Sequence, residues 1–137
     1  MFEFKGRIIY SDSGWVVVTV PGSIASYYRR VVERLIWNRL SKPLHGTHVT
    51  VINGNFEKRT DHENWRKYNN QEITLKYDGK IENNRDGYYW IAVYDNGELT
   101  CVRKSLGLTP MPHFPFHVTF GHSQEERRLS QNHERNA

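Results

Sequence analysis

GTHVTVIN (residues 46–53) and FHVTFGH (residues 116–122) set the architecture of this chain. Each is a short β-branched and aromatic run in which a polar side chain alternates with an apolar one. A strand turns successive side chains to opposite faces, so His48 and Thr50 share one face while Val49 and Val51 share the other. The second stretch repeats the arrangement with His117 and Thr119 on one face and Val118 and Phe120 on the other. The two copies lie about half the chain apart, and each follows a helical pattern and a proline-bearing connection. That repetition predicts two similar halves.

Outward from the first copy, Phe4 to Tyr10 and WVVVTV (residues 15–20) read as a hairpin around SDSG. After Pro21-Gly22 the period changes, and Ser23 is placed to cap a helix whose apolar positions are Ile24, Tyr28, Val31, Val32, Leu35, Ile36 and Leu40. Arg29, Arg30, Glu33, Arg34 and Asn38 fall on its polar side, which reads as a solvated face. Pro43 ends this region. In the middle, Asp61 is placed to cap a short helix through Trp65 and Tyr68, and EITLKYD and YYWIAVYD supply two or three strands. Asn96 or Asp95 then caps a second helix with Leu99, Val102 and Leu106 on one stripe and Gly107 as its stop. The order predicts an α+β fold of two pseudo-symmetric lobes, with antiparallel sheets forming a central cleft. Residues 1–122 read as one domain, and residues 123–137 as a polar tail, either unstructured or a lid.

The 137 residues suit one core. One cysteine, Cys101, excludes an internal disulfide and reads as a packed helix residue, consistent with a reducing cytoplasm. No window suggests a signal peptide or a membrane span. Nineteen Lys and Arg against fifteen Asp and Glu give a formal charge of +4, the sign that favours anionic ligands.

Two imidazoles and two hydroxyls converging on one cleft suit cleavage of a phosphodiester. At neutral pH one imidazole can accept a proton while the other, charged, donates one. Threonine hydroxyls can bond the non-bridging oxygens as charge builds there. The scheme requires no metal or other cofactor. His45, His113 and His122 flank the two strands without metal-ligand spacing and read as rim residues, His122 being a candidate substrate contact, while His62 and His133 read as solvated. Tyr10, Trp15, Trp65 and Tyr68 are candidates for stacking on bases, with packing the default for each. Lys5, Arg29, Arg30, Arg66 and Arg103 are candidate phosphate partners, with a surface role the default. Tyr28, Trp37, Tyr77, Trp90 and Phe116 read as core.

On His48, Thr50, His117 and Thr119, the sequence resembles the two-histidine (2H) phosphoesterases, which carry two H-x-[ST]-x motifs in pseudo-symmetric lobes. Its length, the KGRIIYSDSGW hairpin, the ASYYRRVVERLIWNRL helix and the motif spacing are similar to the small phage nucleases that defeat CBASS immunity. The resemblance implies an enzyme of the host cytoplasm that linearises cyclic oligonucleotides such as cyclic GMP-AMP and cyclic tri-adenylate without metal, and with no obligate protein partner. It implies attack by a ribose 2′-hydroxyl on the adjacent 3′-5′ phosphodiester, His48 and His117 serving as base and acid in an order the sequence leaves open. The alternatives are a phosphodiesterase acting on RNA 2′,3′-cyclic phosphate ends and a non-catalytic module that sequesters nucleotides.

Overall fold

The computed structural model describes residues 1–123; of the polar tail expected over 123–137 only Ser123 lies within them, and it is buried, its amide donating to the Gly87 carbonyl at 2.8 Å. Among the described residues seven strands and two helices follow in the order β1 (Phe2–Tyr10), β2 (Val16–Thr19), α1 (Gly22–Ile36), β3 (His48–Ile52), β4 (Glu72–Tyr77), β5 (Ile81–Asn83), β6 (Tyr88–Ala92), α2 (Glu98–Ser105) and β7 (His117–His122). The fold is α+β, as the alternation of periods predicted. The strands form one curled antiparallel sheet in the order β4-β1-β2-β3-β7-β6-β5, a half-barrel, with the two His-x-Thr strands side by side at its middle.

Alternation along each strand sorts the side chains. In β1, Phe4, Gly6, Ile8 and Tyr10 turn inward while Glu3, Lys5 and Arg7 stay exposed. Val16, Val18, Val49, Val51, Leu75, Ile91, Val118 and Phe120 continue the buried layer. Both helices cover this layer, α1 against β7 and α2 against β3. From α1 the stripe Ala25, Tyr28 and Val32 enters the core, and from α2 Leu99 and Val102 do so, as the helical spacing required. The opposite sheet face carries the polar members of the alternation. Gly6 allows the strands to meet closely, because a Cβ there would lie 2.2 Å from the Thr19 carbonyl oxygen.

Several local expectations change. α1 begins at Gly22 with Pro21 at its N-cap, which puts Ser23 inside the first turn, with no side-chain cap bond. The helix stops at Ile36 because Trp37 turns left-handed, at φ 56°, so Leu40 reaches the core from beyond the helix and Leu35 is exposed. No helix forms at residues 61–70: successive turns occupy the segment, with Arg66 and Asn70 at φ 72° and 68°, which interrupts helical continuation. α2 has Gly97 rather than Asn96 or Asp95 at its N-cap, without a side-chain cap bond, though Asp95 accepts from the Leu99 amide at 2.7 Å; Gly107 at φ 75° marks the end of α2. Cys101 is exposed rather than packed, because the buried stripe runs through Leu99, Val102, Arg103 and Leu106 and leaves it on the other side. Among the described residues no helix is long and apolar enough to cross a membrane.

Candidate active site

Val49 of β3 pairs with Val118 of β7. Continuing that antiparallel register by one residue each way places His48 across from Thr119 and Thr50 across from His117. All four side chains stand on the face away from the helices, half-buried, while Val49, Val51, Val118 and Phe120 are buried behind them. Directly opposed pairs bring their Cβ atoms to roughly 5 Å, and the diagonal pair His48 and His117 to roughly 7–8 Å. The structure therefore brings together the four residues that the repeat singled out.

The two imidazoles are held alike. His48 Nδ1 lies 3.1 Å from the Gly46 carbonyl oxygen, and His117 Nδ1 lies 2.8 Å from the Pro115 carbonyl oxygen. In each case the partner is the carbonyl two residues upstream. A carbonyl only accepts, so each Nδ1 must carry the hydrogen, and Nε2 is left as the nitrogen that exchanges a proton. Burial pushes the His48 pKa below its ordinary value. The bond to Gly46 opposes this, and positive charge on His45 and His117 adds to it. Thr50 and Thr119 hydroxyls make no hydrogen bond to protein groups among the described residues.

Two cavities of about 360 Å³ each adjoin along this face, sharing Tyr88 and Thr119. Into the first project Trp90, Phe114, His117 and Ala92. Pairing with β7 explains the set: Trp90 is opposite Thr119 and Ala92 opposite His117. The His117 ring contacts Trp90 at 6.2 Å and Phe114 at 6.4 Å between centroids, both edge-on. The second cavity is bounded by His48, His122 and the segment from Ser41 to His45. That segment leaves β7 after the Ser41–His122 bridge and returns at Val49–Val118, and its excursion makes the wall beside His48. His122 lies against Tyr88, 4.3 Å between rings, and its Nε2 is 2.9 Å from the Asp86 carbonyl oxygen.

Of the candidate contacts, His122 lies at the His48 cavity, and the others lie elsewhere. Tyr10 is buried and meets Trp65 edge-on at 5.0 Å, in the layer behind the sheet. Trp15 packs where Gly54 leaves room, since a Cβ on Gly54 would fall 2.6 Å from its ring. Arg29 donates to the Phe120 carbonyl at 2.9 Å and to Ser26, so it ties α1 to β7 from the helix side. Arg66 bonds the Tyr10 carbonyl and Asp12, and Lys5 faces Glu72. Arg103 is fully buried, where it grips Glu57 and the carbonyls of Val51 and Thr109. Trp90 belongs to the open face rather than to the core, and Tyr88 and Phe114 join it there. The period-two run YYWIA offered that signal, but only its pairing with β7 reveals which strand face is open. Trp37, read as core, is 93% exposed.

Among the described residues no group of three or more His, Cys, Asp or Glu side chains is arranged to hold a metal ion. Comparison of the chain with protein-family models, with curated proteins and with solved structures finds no match.

Proposed function

We propose that this protein is a phosphodiesterase that cleaves ribonucleotide phosphodiesters by paired histidine acid–base chemistry, without a metal cofactor. The observation that carries the reading is the matched anchoring of His48 and His117 on adjacent strands, each through Nδ1 to the carbonyl two residues upstream. Packing gives no reason for two imidazoles to be presented alike beside two threonines. On this reading the halves β1-β2-α1-β3 and β5-β6-α2-β7 are pseudo-symmetric lobes, and the two adjoining cavities are one cleft.

In the proposed reaction His48, kept neutral by burial, takes the proton of a ribose 2′-hydroxyl through Nε2. The 2′-oxygen forms a bond to phosphorus while the bond from phosphorus to the 5′-oxygen breaks. His117 gives its Nε2 proton to that oxygen. The products are a 2′,3′-cyclic phosphate and a 5′-hydroxyl, and with the two roles exchanged water can open the cyclic phosphate. Thr50 and Thr119 donate to the non-bridging oxygens, and Tyr88, Trp90 and Phe114 offer ring faces to bases.

For the substrate we propose cyclic oligonucleotides such as cyclic GMP-AMP and cyclic tri-adenylate, on the likeness to two-histidine phosphoesterases that act against CBASS, with the host cytoplasm as the place of action. Incubation with both compounds in EDTA, with products separated by chromatography, is expected to yield linear nucleotides. Unchanged cyclic substrate after prolonged incubation would overturn this assignment. A second reading gives the same four groups a terminal 2′,3′-cyclic phosphate of RNA as substrate; turnover of such ends alone would move the substrate to RNA. Loss of cleavage with retained binding in His48→Ala and His117→Ala separates either enzyme from a sequestering module.

A further inference from the structure

A further cavity lies away from the His-x-Thr face. It is an open groove of about 1000 Å³ along the C-terminal half of α1 and the segment that follows, lined by Arg29, Arg30, Arg34, Trp37, Arg39 and Lys42. The charge is strongly one-sided. Arg29 is engaged with β7, but Arg30, Arg34, Arg39 and Lys42 are exposed and enter none of the ion pairs found among the described residues. The one acidic side chain in the lining, Glu33, accepts a hydrogen bond from the Leu40 amide at 2.8 Å and holds the chain turn in place.

Four exposed cations with no ion pair among the described residues share one groove, which concentrates positive potential there and favours an anionic ligand. Arg30 and Arg34 are one turn apart on the helix, about 6 Å along its axis, which aligns their guanidinium groups in a row. The left-handed residue at the end of the row is Trp37, whose ring is almost wholly in solvent. An indole gains nothing from such exposure unless a flat surface covers it. Lys42 lines both this groove and the cavity of His48, so the basic track runs to the His-x-Thr face.

We propose that this groove is a second binding site, one that takes a single-stranded nucleic acid, with Arg30, Arg34, Arg39 and Lys42 on the phosphates and a base stacked on Trp37. Alternating charge and ring faces is the pattern that fits a flexible strand, because phosphates and bases present themselves in turn. A cyclic di- or trinucleotide seated at the two histidines cannot extend along α1, so the groove serves a longer strand. The site stands independently of the cleavage chemistry proposed above, and its test measures binding alone.

The probe is a fluorescein-labelled twelve-nucleotide oligoadenylate with 2′-O-methyl riboses, which offers no free 2′-hydroxyl, titrated with the full chain and followed by anisotropy. Saturable binding is expected. Arg30→Ala/Arg34→Ala/Arg39→Ala should weaken it at least tenfold and make the slope of log affinity against log salt shallower by about 2, at roughly 0.7 per phosphate contact on a single strand. Trp37→Asn keeps a residue suited to the left-handed position and should weaken binding about five- to hundredfold. The same change should leave binding of heparin, which has no bases, unaltered. Lys58→Ala/Arg59→Ala/Lys67→Ala, which removes equal charge from another segment, should lower affinity less than threefold. The proposal is overturned if the strand does not bind at 50 mM salt, if the two triple variants weaken it equally, or if Trp37→Asn affects strand and heparin alike. Binding to phosphatidylserine vesicles but not to the strand would assign the groove to a membrane surface instead. Because the probe cannot be cut through its own 2′-oxygens, binding is read whatever the outcome of the cleavage assay.

Discussion

Replacing Arg103 tests the bond network that ties α2 to the end of β3 behind the first His-x-Thr pair. Its guanidinium has no solvent exposure, and it donates to Thr109 O at 2.8 Å, Val51 O at 2.8 Å, both Glu57 carboxylate oxygens at 3.0 and 2.6 Å, and Thr109 Oγ1 at 3.3 Å. Val51 follows Thr50 in β3, and Thr109 begins the connection to β7. Breaking a buried ion pair by removing one partner typically costs about 3–5 kcal/mol. Glu57 retains 27% exposure and can regain water, so Arg103→Met belongs near 3 kcal/mol. Glu57→Gln leaves the fully buried cation without a counter-charge, and arginine cannot escape by losing its proton, so its cost lies nearer 5 kcal/mol, at the upper end of that range. Changing both residues to Met and Gln should recover part of the loss. Urea unfolding followed by tryptophan fluorescence measures all four corners of the cycle. Hydrogen bonds from Arg103 hold the Glu57 carboxyl below its ordinary pKa of 4.5. A carboxylate whose folded pKa is depressed contributes stability that is present above the unfolded value and lost as pH falls through the folded one. The advantage of the native protein over Arg103→Met should therefore shrink below about pH 4.5. A loss under 0.5 kcal/mol, or one that is constant between pH 7 and 3, would refute the argument.

Changing either His48 or His117 to Ala should lower turnover by about a hundred- to ten-thousand-fold, whereas Thr50→Val or Thr119→Val should cost about ten- to hundredfold; equal losses from all four would contradict separate roles. Because burial lowers the His48 pKa, the acid limb of the kcat/KM profile should fall below the unperturbed imidazole value of 6.5. His45→Ala removes a repelling charge and should move that limb toward neutrality; a shift the other way would remove His48 as the base. Trp90→Ala should raise KM about five- to hundredfold with a smaller effect on kcat, and an unchanged KM would take that ring out of the binding surface. Gly6→Ala should destabilise the fold by about 3 kcal/mol or more, since the added methyl meets a backbone oxygen that cannot swing away; urea unfolding within 1 kcal/mol of the native protein would show that β1 and β2 can separate there.

The site proved easier to read than its surroundings. Strand alternation places His48 with Thr50 and His117 with Thr119 whatever the rest of the chain does, so the repeat could be interpreted locally. The placement of Trp90 could not, because its face depends on pairing with β7, a contact between distant segments. Tyr10 and Arg103 show the converse. Tyr10 looked like a hairpin-flanking ring but occupies an inward position, and Arg103 looked like a surface cation on α2 until Glu57 and two carbonyls closed around it. The helix period through Leu40 concealed a left-handed residue at Trp37, whose φ no pattern of apolar spacing records. The lost helix at residues 61–70 has the same origin, positive φ at Arg66 and Asn70.

The imidazoles lean on main-chain carbonyls, and this has an electrostatic consequence for whatever binds between them. A carbonyl orients a ring but brings no formal negative charge, and among the described residues no carboxylate pairs with either imidazole. A phosphate entering the cleft would supply the counter-charge. Ligand binding should then draw a proton from solution, and heats of binding measured in buffers of different ionisation enthalpy should diverge. Affinity for phosphate monoesters should in turn rise on mild acidification, since proton and anion each favour the arrival of the other.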